Sequence, residues 1–359
     1  VSTLRVTVEE LTVHEHPNAD ALELAQVGLY RAVVAKGAYR TGDFAVYIPE
    51  QAVLPEGLIA ELGLTGKLAG AAANRVKTIR LRGELSQGIV CRPRALAGVV
   101  DLAGAHKDGT DFAVELGIVK WVPPVPISMS GEVEPAPDLL PWIDVENLKR
   151  YPAAFPEGEP VAVTEKVHGT ACCLTYHAGE GRVQVTSKGL GTQRLALVED
   201  PGNLYWRAVR GHGLPQVAAE LAGELGASRV GIYGEVYGDG VQDLGYGADS
   251  RRGVPGYAVF DVAVETGGEV RWLDPQELTS VLDGRLPVVP TLFSGPYEAR
   301  RVMALAEGRE TLSGRAAHLR EGVVIRPLTD RHSPELGGRA IAKVVSGAYL
   351  TRKGGTEYE

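Results

Sequence analysis

The stretch Val161-Ala-Val-Thr-Glu-Lys-Val-His-Gly-Thr170 decides how the rest of the chain is read. Val161 and Val163 alternate with other residues at the period of a strand, and His168-Gly169 ends that pattern just after Lys166. A lysine at a strand-to-turn junction is ordinarily a solvated side chain. It becomes a nucleophile only where nearby cations or burial strip its proton. The partners for such a pocket follow, each in its own strand-like segment: Lys188, Glu235, Phe260, Glu321 and Lys343. Cations and carboxylates gathered around one lysine suit a nucleoside triphosphate.

The chain has 359 residues, 44% hydrophobic and 23% charged, enough for two or three domains with ample core. Its net charge of -8 leaves no overall basic footprint, so any nucleic-acid surface must be local. No apolar run approaches the ~20 residues of a membrane span, and the first residues carry no signal-peptide pattern. Cys91, Cys172 and Cys173 lack metal-ligand spacing and read as reduced core thiols, which points to the cytoplasm.

Six segments, in order, carry a family resemblance. Lys166-Val-His-Gly169 resembles motif I of the covalent nucleotidyltransferases, the superfamily of ATP-dependent ligases and mRNA capping enzymes. Ser187-Lys-Gly189 falls at motif Ia, Gly231-Ile-Tyr-Gly-Glu-Val-Tyr-Gly238 resembles motif III, and Tyr257-Ala-Val-Phe-Asp-Val262 motif IIIa. Glu321-Gly-Val-Val-Ile-Arg326 is similar to motif IV and Ala342-Lys-Val-Val-Ser346 to motif V. His168 and Thr170 are most similar to the RNA ligase 2-like, nick-sealing branch.

Residues 1–120 read differently. Short β-like runs (Leu4 to Val8, Ala25 to Leu29, Ala32 to Ala35, Phe44 to Ile48, Val76 to Leu81, Gly88 to Cys91) are separated by turn residues, with one short helix near Leu58 to Leu64. That pattern suggests a small Greek-key barrel of the OB type. His16 to Leu24 and Ile79 to Gly88 resemble OB modules that bind tRNA. Arg80 and Arg82, alternating with Ile79 and Leu81, fall on one strand face and suit phosphate contacts; a plain solvated face is the competing reading. His14 and His16 read as turn neighbours of Pro17-Asn18. Six prolines between Trp121 and Trp142 suggest an extended connector over 121–142. Ile143 to Tyr151 suggests a short helix, with Asn147 and Lys149 near the nucleotide.

The expected fold is α+β: an N-terminal OB-fold β-barrel, then over 143–359 a nucleotidyltransferase domain that the resemblance implies is two antiparallel sheets with flanking helices. The resemblance also implies the reaction. Lys166 captures AMP from ATP, AMP passes to a 5′-phosphate end, and a 3′-hydroxyl displaces it to seal the break. Lys343 would face the α-phosphate and keep Lys166 deprotonated by like-charge repulsion; a salt-bridged strand lysine is its alternative. Glu321 would hold Mg²⁺ or Mn²⁺, or else pair with Arg320 or Arg326. Glu235 would accept from a ribose hydroxyl, or pair with Arg251 or Arg252. Phe260 would stack on adenine, or serve as core. Lys188 would touch the ribose or an incoming phosphate, and the main chain around Glu165 would read the adenine edge. Strand alternation would set His168 beside Lys166 as a metal or phosphate contact, or leave it structural.

Two departures from the family pattern stand out. Lys188 replaces a frequent arginine. Motif V has Val345 where a second lysine is usual, with Arg352 or Lys353 as substitutes. The OB-like segment precedes the core, as in the Deinococcus-type RNA ligases. The expected partners are ATP and a nicked duplex of RNA or RNA/DNA hybrid, met by a monomer. A capping-like guanylyltransferase and a non-catalytic RNA-binding protein with a degenerate core are the rival readings.

Overall fold

The computed structural model describes residues 3–248 and 253–355. Two compact units divide the chain: one holds the residues up to Val122 plus Lys149–Pro152, the other Pro123–Leu148 and everything from Ala153 on.

In the first unit, β1 (Thr7–Glu10), β2 (Thr12–Glu15), β3 (Leu22–Val27), β4 (Tyr30–Ala35) and β5 (Phe44–Ile48) precede β6 (Ala52–Val53) and helix α1 (Glu56–Glu61). Then come β7 (Ile79–Leu81), β8 (Glu84–Ser86), β9 (Ile89–Cys91), α2 (Leu102–Asp108) and β10 (Val119–Lys120). The ladders β1-β5-β9 and β2-β3-β4 dominate. Alternation makes β5 two-faced: Ala45 and Tyr47 pack with Val27, Tyr30 and Ala32, whereas Val46 and Ile48 pack with Leu58, Ile59 and Ala105. The expected strands are present with ends shifted by a few residues. Helix α2 went unforeseen although Asp101 caps its start and Gly109, at φ 61°, ends it. His16 accepts from Asn18 N–H at 3.1 Å, the turn role expected of it. Arg82 is not on the strand with Arg80: it lies in the tight β7–β8 turn at φ 50°, next to Gly83 at φ 92°.

The second unit contains β11 (Val133–Pro135), β12 (Glu146–Asn147), β13 (Pro160–Lys166), β14 (Thr170–His177), β15 (Arg182–Ser187), α3 (Lys188–Thr192), β16 (Leu195–Leu197), α4 (Leu204–Gly211) and α5 (Leu214–Leu225). It continues with β17 (Arg229–Tyr237), β18 (Gly256–Thr266), β19 (Glu269–Trp272), α6 (Pro275–Leu282), β20 (Thr291–Pro296), α7 (Ala299–Ala306) and β21 (Gly322–Pro327). The hairpin β22 (His332–Ser333) and β23 (Gly338–Arg339), β24 (Ala342–Val345) and α8 (Gly347–Leu350) complete it. A seven-stranded sheet runs β11-β16-β15-β14-β17-β18-β19, and a five-stranded sheet runs β12-β24-β21-β13-β20.

Strand alternation builds the core of the large sheet. Cys172, Leu174, Val230, Ile232, Val262 and Val264 face helices α4, α5 and α6; Cys173, Tyr233 and Ala263 face the other way. On α5, Leu214, Val217, Ala218, Leu221 and Ala222 form one buried stripe at helical spacing. Each such large side chain contributes roughly 1.5–3 kcal/mol by leaving water. All three cysteines are free and buried.

Two expectations are corrected here. The proline-rich stretch is no free connector beyond Val122: Met129, Ala136, Leu139 and Leu140 are buried, and β11 forms the edge of the seven-stranded sheet. An edge strand tolerates Pro135 because the ladder does not need both of its sides. Ile143 to Tyr151 is not a helix. Pairing of β12 with β24, in parallel, overrides the local tendency.

Candidate active site

β13 belongs to the five-stranded sheet and β14 to the seven-stranded one, so Val167-His-Gly169 is where the chain crosses between them. Lys166 ends β13, opposite Gly322 of β21. Glycine is required at Gly169, in the crossover, and at Gly322, the first residue of β21. A Cβ on Gly169 would lie 2.1 Å from the Val236 carbonyl, and one on Gly322 would lie 2.1 Å from that of Val344. These close approaches bring β17 against the Val167–Gly169 crossover and β24 against the start of β21.

The Lys166 amine lies 2.6 Å from Glu321 Oε1. Burial opposes the charge on Glu321, but Lys166 and His168 outweigh it and hold the carboxyl at about 2. Burial also favours loss of the Lys166 proton, yet Glu321 and Glu235 outweigh it and keep the amine above the ordinary lysine value. Glu235, on β17, is pushed up to about 7 by burial, against the pull of Lys166. Lys343, on β24 opposite Val324, is brought down to about 7 by burial and by the charges of Lys188 and Lys166. The expected like-charge repulsion is therefore present but falls on Lys343. Lys166 is an ammonium because a carboxylate touches it.

Lys188 opens α3, whose N-cap is Ser187, and pairs with Asp144 at 3.0 Å. Phe260 sits where the register between β17 and β18 slips by one residue. Such a bulge re-aims a side chain, and Phe260 is half-buried beside Val167 and Tyr246. Glu165 is fully buried: its Oε2 accepts from Thr311 N–H at 2.7 Å and from the Thr311 hydroxyl at 2.6 Å, while its Oε1 has no hydrogen-bond partner among the described residues.

His168 does not share an open strand face with Lys166, because β13 stops at Lys166 and alternation stops with it. Its ring is 2% exposed, with Nε2 3.0 Å from Asp243 and Nδ1 3.0 Å from the Tyr349 hydroxyl. Burial would lower its pKa, but the hydrogen bond to Asp243 and the nearby Glu321 carboxylate raise it above the usual histidine value. The alternatives for Glu321 fall away: Arg320 donates to the carbonyls of Leu305 and Arg309, and Arg326 to Asp261. Arg251 and Arg252 lie outside the described residues. Arg352 does not stand in for the missing lysine of motif V, since Asp243 holds its guanidinium at 2.8 and 2.9 Å. Lys149 donates to Gln87 at 3.1 Å, within the first unit.

Asp144, Thr311, Asp243, Tyr246 and Tyr349 escaped the sequence reading. Only Asp243 and Tyr246 carried a signal: both lie in Gly238-Asp-Gly-Val-Gln-Asp-Leu-Gly-Tyr-Gly247, whose glycine density marks a loop with exacting geometry.

Residues 5–93 match a family model for an OB-fold domain. Solved structures of Naegleria gruberi RNA ligase share the fold: an apo mutant (TM-score 0.77, 23% identity, 98% of each chain covered), a mutant with ATP and Mn (0.75, 23%, 96% of this chain and 98% of that one), and the enzyme with PPi (0.75, 24%, 97% and 98%). No curated protein matches the chain. The family model for RNA ligase matches residues 159–345, more than half of the chain and the span that carries every motif residue from Lys166 to Lys343, and the chain belongs to that family.

Proposed function

We propose that this protein is an ATP-dependent RNA ligase that seals 3′-hydroxyl/5′-phosphate nicks in duplex nucleic acid, with RNA on the 3′-hydroxyl side. The observation that carries this reading is the gathering of Lys166, Lys188 and Lys343 with the Glu235 and Glu321 carboxylates, with Lys166 and Glu321 2.6 Å apart. Three lysines in one site suit a triphosphate. The Naegleria ligase, of the same fold, has been solved with ATP and Mn and with AMP and Mn.

The Lys166 amine attacks the α-phosphorus, forming a P–N bond as the bond to pyrophosphate breaks. Lys166 starts as an ammonium, so it first sheds one proton to solvent as the hold of Glu321 is relieved. The amine's second proton goes to the departing pyrophosphate, and AMP stays on the lysine. A nucleic-acid 5′-phosphate then displaces Lys166, and the 3′-hydroxyl displaces AMP. Lys343 offsets charge on the transferring phosphoryl group: brought down to about 7 by burial and the neighbouring lysines, it is driven back to the ammonium form, with a proton from solvent, when an anionic phosphate lies beside it. Glu165 offers its partnerless buried oxygen to an amine such as the exocyclic one of adenine, which favours ATP over GTP. Phe260 supplies the ring face.

Among the described residues no group of three or more His, Cys, Asp or Glu is arranged to hold a metal. Glu321 with phosphate oxygens still fits Mg²⁺ or Mn²⁺, which bind through few carboxylates and share the substrate's phosphates. Such an ion would supply charge neutralisation at the α-phosphate and relieve the hold of Glu321 on Lys166.

The test is incubation with magnesium and either α-labelled ATP or α-labelled GTP, followed by denaturing electrophoresis. Label from ATP stays on the wild type and is absent from Lys166→Ala. Label from GTP alone would mean a capping-type enzyme, and no label from either would mean a binding protein. Nicks differing only in the sugar at the 3′-hydroxyl then test the RNA preference; equal sealing removes it.

A further inference from the structure

Four side chains close a ring behind the nucleophile. His168 meets Asp243 through Nε2 and the Tyr349 hydroxyl through Nδ1, each at 3.0 Å. Asp243 takes two donors from Arg352, and the Arg352 guanidinium lies 3.7 Å from the centre of the Tyr349 ring. Tyr349 in turn meets the His168 ring edge-on at 5.3 Å. The members come from the motif I turn, from the 238–248 loop and from the segment after motif V. The same loop grips the turn twice more: His168 N–H donates to the Tyr246 hydroxyl at 2.8 Å, and Gln242 donates to the Gly169 carbonyl. The ring bears on the chemistry at one point. His168 Nδ1 is 3.7 Å from Glu321 Oε2, while the other oxygen of that carboxylate holds Lys166.

We infer that Asp243, Tyr349 and Arg352 are positioning residues for adenylate transfer: they fix His168, which fixes Glu321 and so the line of attack of Lys166. The segment after motif V is thus part of the catalytic apparatus. A hydrogen-bonded, buried histidine with both nitrogens engaged cannot swing, and its fixed ring edge, 3.7 Å from one Glu321 oxygen, acts electrostatically on the angle at which the other oxygen meets Lys166. Misplacing an attacking atom by about 1 Å is enough to slow a reaction ~100-fold.

This inference rests on the ligase reading, and the experiment separates the two. Full-length protein and magnesium are mixed with excess labelled ATP, and the rate constant and amplitude of label capture are read in a single turnover, together with the apparent ATP affinity and the thermal unfolding midpoint. Tyr349→Phe removes one hydroxyl and keeps the ring packing, so it remains informative if Asp243→Asn does not fold. Both variants should slow capture by ~10–100-fold with ATP affinity within about threefold of wild type. The double variant should be no slower than the slower single, because one ring is broken once. A loss of amplitude alone, a loss confined to ATP affinity, a slowdown below about tenfold in the folded variants, or losses that multiply in the double variant would each overturn the inference. A wild type that captures no label would instead sink the ligase reading itself.

Discussion

Two buried groups of charges lie at opposite ends of β21, and they are built from different cations. At the far end, Arg326 donates to Asp261 at 3.0 Å; Arg339 donates to Asp261 and to Asp330, and packs 4.5 Å from the Trp272 ring. Asp261 is on β18 of the large sheet and Arg326 on β21 of the small one, so this group ties the sheets together. At the near end, Glu321 holds Lys166 at 2.6 Å, with His168 at 3.7 Å and the charge of Lys343 close enough to feel it. Guanidinium groups keep their protons and grip carboxylates with a planar fork, whereas a lysine's proton is set by its surroundings. Arginine makes a fixed joint. Lysine makes a site whose protonation a substrate can move.

The largest effect should come from giving the site the joint's chemistry. Lys166→Arg retains a cation for Glu321 and should fold normally, but its guanidinium stays protonated and cannot attack phosphorus. Capture of AMP, measured as a mass increase on the intact protein, should fall to background. A labelled arginine variant would break the distinction drawn here.

Next comes the joint. Asp261→Ala leaves Arg326 and Arg339 without the carboxylate that both touch, and removing one partner from a buried ion group typically costs about 3–5 kcal/mol. Urea unfolding should show that loss in the second unit's transition, while the folded fraction still captures AMP. An unchanged midpoint would mean that the sheets are held by apolar contacts alone.

Lys343→Met should do the reverse, stabilising the fold while impairing adenylate capture. Folded Lys343 titrates at about 7 and an unfolded lysine at 10.5, so between those values the unfolded chain binds more protons and wild-type stability rises with pH. The strain of a buried ammonium is fully present below pH 7. The variant's gain, about 1–2 kcal/mol after allowing for solvent relaxation, should therefore be full at pH 6 and shrink as pH rises towards 10. A destabilised Lys343→Met at pH 6 would show that Lys343 is a paired structural lysine.

The contrast also explains what could be read in advance. Lys166, Glu235, Glu321 and Lys343 were legible because each stands in a segment that resembles a family motif; Lys166, Glu235 and Lys343 lie in strands and Glu321 directly precedes β21. Their partners were not. Asp144 meets Lys188 only because β12 pairs with β24, a contact between residues almost two hundred positions apart, and that pairing replaced the helix expected there. Tyr349 reaches His168 across a comparable distance in sequence. The protonation of Lys166 was misjudged for the same reason: the sequence shows that lysines are near one another, but not that a carboxylate lies nearer. In the first unit the β runs were legible, while Arg82 was misplaced because the tight turn begins one residue earlier than the alternation suggests.

The smallest effect belongs to that turn, and it asks whether charges outside both clusters contribute to the reaction at all. Ile79, Arg80 and Leu81 are all exposed on β7, at 45% for Ile79 and 36% for Leu81, and Arg80 is held by a 2.9 Å bond to the Gly83 carbonyl within its own hairpin. An exposed arginine on a small hairpin of an acidic protein is a local cation suited to one phosphate contact. Arg80→Ala should leave AMP capture unchanged, because free ATP does not need that contact. It should weaken binding to a nicked duplex a few-fold and lower the slope of log affinity against log salt by about one. An unchanged salt slope would assign Arg80 to the hairpin's own stability. Slower AMP capture would mean instead that the first unit influences the nucleotide site, and then the two arginine-bearing regions, hairpin and joint, would both have to be counted with the lysines.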